Sequence, residues 1–338
     1  NLACMLGTIV ALYAPGQLLG LGPAGRGTAV LLLSAFPWFG FYVHTLWAEM
    51  LHAVLAGMAF AGLVLHLVRG TRWVLLPAGL AAGIAVLAKG SLNLFLPVTC
   101  VVLALAELRR GRASGRKGKL LAALVSPLLF VGGVTPVVLP QLLANAQAGH
   151  GWRLAGNRWK NLEMGIRLEP RELQEGDDRK LRDGLHKTYM DSGLDYEERE
   201  AVAYERLVEY VEEQGLVSVL RHQLRKLALL AVSTPSFFER ALGERWGDPP
   251  PVWLATLRSP GRILWYALLA GCAGGTLALG WRSAGWAFLA LFVLYFGAAL
   301  LAIPYKERFV VPLVPTMSLF TGGLVDVLRR GRARADPG

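Results

Sequence analysis

Long apolar runs recur from Leu2 to Val327, separated by short arginine-bearing loops and by one long charged insertion. A water-soluble domain has no use for so many, because it fills a single core and leaves the rest of its elements half polar. A helix that crosses the hydrocarbon layer needs about 20 mostly apolar residues, and its internal hydrogen bonds satisfy the backbone groups that lipid cannot. The runs therefore predict an all-α polytopic membrane protein with about nine transmembrane helices. They lie near 2–20, 26–43, 48–68, 73–88, 91–107, 120–142, 263–281, 285–303 and 309–327. Hydrophobic residues make up 54% of the 338 and charged residues 17%, with a mean hydropathy of +0.42. That exceeds what a globular core of this length requires, so bilayer is the missing solvent.

A net charge of +11 and a pI near 9.9 would point a soluble chain toward nucleic acid. Here the basic residues have another use, and no nucleic-acid partner is expected. Arg69 and Arg72, the group from Arg109 to Lys119, Arg282, and the tail residues Arg329, Arg330, Arg332 and Arg334 fall in alternate loops, which therefore face the cytoplasm. Residue 1, the 44–47 turn, the 89–90 turn, the 143–260 segment and the 304–308 turn fall on the opposite side, where the chemistry is expected. The organisation this predicts is a helical bundle over 1–142, an extracytoplasmic loop or cap with amphipathic helices over 143–260, and C-terminal spans with a basic cytoplasmic tail over 261–338. The setting is expected to be a bacterial inner membrane, with the active side periplasmic.

Cys4, Cys100 and Cys272 lie inside predicted spans, which suits apolar packing better than a disulfide framework or a metal site. The chain starts at Asn1 and enters an apolar stretch at once, so it is expected to be a fragment lacking its N-terminus. Within the long insertion, Asp195 and Glu198 have the spacing of a capping box. Tyr204, Leu207, Val208 and Val211 then recur at helical intervals and predict a surface helix over 196–213. The stretch from Leu216 to Val232 carries Arg221, His222, Arg225 and Lys226 on a partly apolar pattern, which suits a helix lying along the membrane interface.

Polar side chains at span ends are the candidates for chemistry. Glu49 lies where the chain turns back into the third span, and an intramembrane carboxylate is costly unless it pairs or faces a wet cavity. It is expected to position a polar substrate or a catalytic partner. His52 completes Glu-x-x-His, half of a carboxylate metal motif. No second copy occurs, so packing or a hydrogen bond is the expected role. Lys89 ends the fourth run and can hold a lipid phosphate or snorkel to head groups. Lys306 and Arg308 stand at the mouth of the last span, where arginine's planar donors suit phosphate and where an aromatic and basic interface anchor also belongs. His44, Asn157, Asn161, Trp152 and Trp159 can contact sugar, although loop packing is the better explanation for each. Asp177, Asp178, Asp183 and Asp191 read as a solvated charge run. The glycines of 271–275 lie within a span, as positions of close helix approach. No cofactor is expected from these residues, and a divalent metal stays open.

In order along the chain, these segments resemble the GT-C superfamily of integral-membrane glycosyltransferases, in particular its protein mannosyltransferase and lipid-A aminoarabinose transferase branch. The stretch from Pro37 to Glu49 resembles the family's second extracytoplasmic turn. Ala88-Lys89-Gly90 with Pro97 is similar to its Thr-Lys-Gly turn, with alanine replacing threonine. Arg308 to Pro315 resembles its Arg-Tyr-x-x-Pro-x-x-Pro signature, with phenylalanine replacing tyrosine, and Asn161 to Gly165 sits in a loop of similar plan.

The resemblance implies a polyprenyl-phosphate sugar donor whose glycosyl group passes with inversion to a hydroxyl of a lipid, glycan or protein acceptor on the extracytoplasmic face. Lys89, Lys306 and Arg308 are then the expected donor-phosphate ligands and Glu49 a substrate-positioning residue. The acidic base of such enzymes lies in a loop expected to precede this chain, so the catalytic residue is unassigned and the fragment by itself is expected to be inactive. A multi-pass transporter or lipid flippase is the alternative, because polar residues at span ends also mark solute routes.

Overall fold

In the computed structural model the described residues are 2–36, 48–113, 119–154, 158–167, 193–228, 252–302 and 307–335. Among them the regular structure is entirely helical, with twelve α-helices and no strand. They are α1 (Leu2–Leu18), α2 (Pro23–Ala35), α3 (Ala48–Arg69), α4 (Leu75–Ala88), α5 (Phe95–Ala113), α6 (Lys119–Gln147), α7 (Arg158–Arg167), α8 (Tyr196–Gln214), α9 (216–228), α10 (Val252–Leu279), α11 (Ala284–Ala302) and α12 (Val314–Ala335). Short 3-10 segments, Gly90–Leu92 and Glu307–Leu313, lead into α5 and α12. Among the described residues, five segments are long and apolar enough to cross a bilayer: Ala48–Arg69, Ala123–Gln147, Pro260–Leu279, Ala284–Leu301 and Val310–Gly331. Leu2–Leu18 and Leu75–Ala88 are apolar but shorter. Leu121, Leu128, Ile263, Leu277 and Leu294 point outward and are well exposed, as expected where lipid replaces water as solvent. The chain is a multi-pass helical membrane protein.

Proline explains where the helices depart from the sequence-based bounds. The last span, expected as one helix from 309, is 3-10 through Leu313 and α-helical only from Val314. Pro312 and Pro315 lack the N–H that regular i to i−4 bonding uses, and Pro315 then sits in the first turn of α12, where that donor has no helical partner in any case. α6 runs to Gln147, past the expected 142, and carries Pro127, Pro136 and Pro140 within it. Such prolines are tolerated in membrane helices because neighbouring groups satisfy the freed carbonyls. α10 begins at Val252 rather than at 263 and runs through Pro260.

The chain forms two compact units. One comprises 1–144, 251–295 and 310–338, and so joins the first predicted segment to most of the third. The other comprises 145–250 and 296–309.

In the first unit the centre is aromatic. Phe60 of α3, Phe95 of α5 and Phe288 and Phe292 of α11 are buried, with ring centroids 4.5–6.2 Å apart. Tilted and edge-on pairs of this kind set positive ring edges against negative faces. Elsewhere helices meet backbone to backbone. A Cβ on Gly79 of α4 would overlap the Phe130 carbonyl oxygen of α6, and one on Gly133 would overlap that of Leu76. Gly275 of α10 admits the Phe320 carbonyl of α12 in the same way, so the small residues of 271–275 serve close packing.

Asp326 of α12 caps a helix far away in sequence. Its carboxylate accepts the amides of Gly22 and Gly25, at the start of α2, the second at 2.9 Å. The first amides of a helix have no intrahelical acceptor and carry the positive end of its dipole, so a buried carboxylate is the natural partner. Gly22 itself supplies no side-chain cap. Asp326→Ala is expected to lower stability by about 2 kcal/mol, at the upper end for lost caps because the site is buried. A lowered unfolding midpoint in mixed detergent micelles checks this.

At the C-terminal ends of α3 and α5, Glu107 is buried and accepts from Arg72 (2.7 Å), Arg110 (3.1 Å) and Ser126 (3.0 Å). Arg110 also donates to the His66 and Leu67 carbonyls in the last turn of α3. Arg72 and Arg110 are therefore more than loop charges: they neutralise a carboxylate that hydrocarbon would not accept alone.

In the second unit the Asp195–Glu198 capping box forms as expected, with both reciprocal bonds at 2.9 Å. α7, which the sequence does not announce, is held from α8. The Glu200 carboxylate accepts the Trp159 and Lys160 amides at 2.8 and 3.4 Å, and Trp159 packs edge-on against Tyr204 with centroids 4.8 Å apart. Burial, reinforced by the Arg199 charge, pushes the Lys160 ammonium below the usual lysine range, and Glu200 opposes that shift. α9 closes the far end of α7. Lys226, fully buried, donates to the Gly165 carbonyl, and Gln223 donates to that of Ile166 at 3.0 Å. Lys226 also reaches the Leu301 carbonyl in the last turn of α11 at 3.2 Å. One ammonium thus serves the negative ends of two helices.

Candidate functional site

Glu49 opens α3, while His66 and Arg69 close it. At 1.5 Å per residue the carboxylate stands about 25 Å from the His66 turn. Lys89 ends α4 at the same end of the bundle as Glu49. Its backbone leaves helical geometry for an extended conformation (φ −159°, ψ 120°) while its amide still bonds to the Ala85 carbonyl. The break follows from the sequence, because Gly90 comes next and the 3-10 turn Gly90–Leu92 carries the chain to α5. The extended residue aims its side chain back over the start of α3.

There Lys89 Nζ lies 3.2 Å from Glu49 Oε1. The carboxylate is nearly all buried, with 6% of its side chain exposed, and Lys89 retains 17%. A charge so placed is sustained by its opposite. One helical turn deeper, fully buried His52 turns Nδ1 to the Ala85 carbonyl at 2.8 Å and Nε2 to the Ser91 hydroxyl at 3.2 Å. A carbonyl only accepts, so Nδ1 carries the proton and Nε2 accepts from Ser91. The Tyr295 hydroxyl of α11 donates to the Ser91 carbonyl at 2.6 Å, which ties the Lys89 turn to a third helix. Asn93, closing that turn, has its side-chain oxygen buried without a donor among the described residues. The result is a pinned turn that presents an ammonium beside a buried carboxylate.

The two sequence candidates from the first unit therefore come together, forty residues apart in the chain. His52 has the hydrogen-bonding role expected of it. Among the described residues no group of three His, Cys, Asp or Glu side chains stands where a metal ion could be held. Lys306 lies outside the described residues, as do His44, Asn157, Asp177, Asp178, Asp183 and Asp191. Arg308 falls in the 3-10 segment Glu307–Leu313, and only its backbone is described. Trp159 packs on Tyr204, Trp152 is largely exposed, and Asn161 sits on the exposed face of α7.

Ser91 and Tyr295 belong to the site but did not stand out in the sequence. Tyr295 carries the one hydroxyl in the otherwise apolar run of α11, which is a usable signal: a phenol on a membrane helix needs a partner. Ser91 follows a Lys-Gly turn and offers none.

No protein-family model matches the chain, and neither the curated proteins nor the solved structures include a detectable relative.

Proposed function

We propose that the chain is a membrane glycosyltransferase that takes a sugar from a polyprenyl-phosphate donor and passes it to an acceptor hydroxyl on the extracytoplasmic face. The observation that carries this reading is the Glu49–Lys89 pair, buried at the end of the bundle away from the arginine-bearing turn after α3. A buried ion pair is a poor way to gain stability, since apolar residues of equal volume do as well or better. An ammonium kept near a span end, on a turn pinned by His52, Ser91 and Tyr295, has a clearer use as a grip on phosphate.

The chemistry fits that use. Breaking the bond between an anomeric carbon and a phosphate oxygen gathers negative charge on the departing group, so a fixed cation stabilises the transition state more than the ground state. The donor's phosphodiester carries one negative charge and gains a second as the glycosyl bond breaks, so an ammonium aimed beforehand by Glu49 meets the departing phosphate at its most charged. Glu49 is thus a positioning residue. The base that takes the acceptor proton is unassigned.

The test supplies the full-length protein in liposomes with polyprenyl-phosphate sugars and follows sugar release. Glu49→Gln is expected to slow turnover about tenfold to a hundredfold, the cost of a loosened ammonium. Arg308→Ala, assayed alongside, tests the sequence-based role of that residue separately. Turnover by Glu49→Gln equal to that of the wild type rules out the positioning role. No sugar release from any polyprenyl-phosphate donor by the wild-type protein removes the reading as a whole.

A further inference from the structure

α9 has two unlike faces. Val219, Gln223 and Lys226 are buried against the rest of their unit, whereas Val217 is 81% exposed, Leu224 65%, Leu216 62% and Leu220 55%. Placed at 100° per residue, Leu216, Val217, Leu220, Leu224 and Leu227 share one stripe about 100° wide. Arg221 and Arg225, both exposed, border that stripe on one side. An apolar face of this size open to water is costly, and arginines along its edge suit an anionic surface.

We propose that this face is a membrane-docking surface: α9 lies in the bilayer interface, its leucines among the upper acyl carbons and Arg221 and Arg225 against lipid phosphates. Two observations favour lipid over a protein partner. Lys226, on the buried face, is bonded to the Leu301 carbonyl, which lies at the end of a membrane-length segment, Ala284–Leu301. Eighteen residues rise about 27 Å, close to the thickness of the hydrocarbon layer, so the end of that segment lies at the interface and holds α9 at the same depth. The charges also have the sign that anionic headgroups require, and they stand beside the apolar stripe, as in helices that lie in the interface plane. This inference rests on α11 crossing the membrane and is independent of sugar transfer.

Site-directed nitroxide labelling tests it in the full chain, with Cys4, Cys100 and Cys272 replaced by alanine and a single cysteine placed at Val217, Leu224 or Arg225. The protein is reconstituted in nanodiscs of phosphatidylcholine, with and without phosphatidylglycerol. Labels at 217 and 224 are expected to collide more with oxygen than with a water-soluble nickel chelate, and the order is expected to reverse at 225. Phosphatidylglycerol deepens the label at 224, and Arg221→Gln with Arg225→Gln abolishes that shift. Nickel access at 217 and 224 equal to that at 225 overturns the proposal, as does exclusion of both reagents, which would mean that protein covers the face. Indifference to phosphatidylglycerol overturns the headgroup contact. Two independent apolar sites keep the result readable if one label perturbs its helix.

Discussion

Lys89→Ala in the full-length protein is expected to lower turnover of a polyprenyl-phosphate sugar by at least about a hundredfold, the usual loss when a fixed group facing developing negative charge is removed. The side chain is placed for that effect. It extends from a non-helical residue at the end of α4 and meets the Glu49 carboxylate at 3.2 Å. The substitution also removes a partner of a buried carboxylate, so lost activity alone would leave a purely structural tie between α3 and α4 in contention. Lys89→Met combined with Glu49→Gln separates the two roles, because replacing both partners of a buried pair with neutral groups is often close to neutral for stability. The double variant is expected to recover its unfolding midpoint and stay inactive. Recovery of turnover with recovery of the fold would mean that Lys89 only fastens helices.

The largest expected loss of stability comes from a residue far from any charge. Gly133→Ala places a methyl group where the Leu76 carbonyl of α4 already lies, and the nearest atoms are backbone on both sides, so no side chain can move aside. α4 and α6 must separate, at a cost of about 3 kcal/mol, toward the upper range for overpacking. Gly132 next to it is a built-in control. A Cβ there meets only the end of the Leu76 side chain at 3.7 Å, and alanine is the better helix former. Gly132→Ala is therefore expected to be neutral or slightly stabilising. Unfolding midpoints of the two variants, measured side by side, isolate the helix contact from general effects of adding a methyl group.

The sequence announces helices well and their partners poorly. Each apolar run contains a helix because only a helix satisfies a run's backbone polar groups in lipid from within the run itself, and that argument needs only local composition. The Asp195 capping box is equally legible, since its two residues are three apart and bond to each other's backbone. Alternation of basic loops puts Glu49 and Lys89 on the same side of the membrane. That they meet depends on α3 and α4 packing as an antiparallel pair, a fact of tertiary structure. Glu107 and Asp326 were harder to see. Both stand near arginines at span ends and look like ordinary loop charge, yet each is buried against groups distant in the chain. α7 is silent in the sequence for a related reason: its first amides are satisfied by Glu200, some forty residues on, so its own sequence carries no starting signal.

The Asp326 bond has a consequence for how the protein is made. The amides at the start of α2 belong to the α1–α2 hairpin, and their acceptor leaves the ribosome some three hundred residues later. Until α12 arrives, that hairpin waits with two donors unanswered near the lipid boundary. A later step of biogenesis thus locks an earlier one, and synthesis halted before Asp326 would leave α1 and α2 without that fastening.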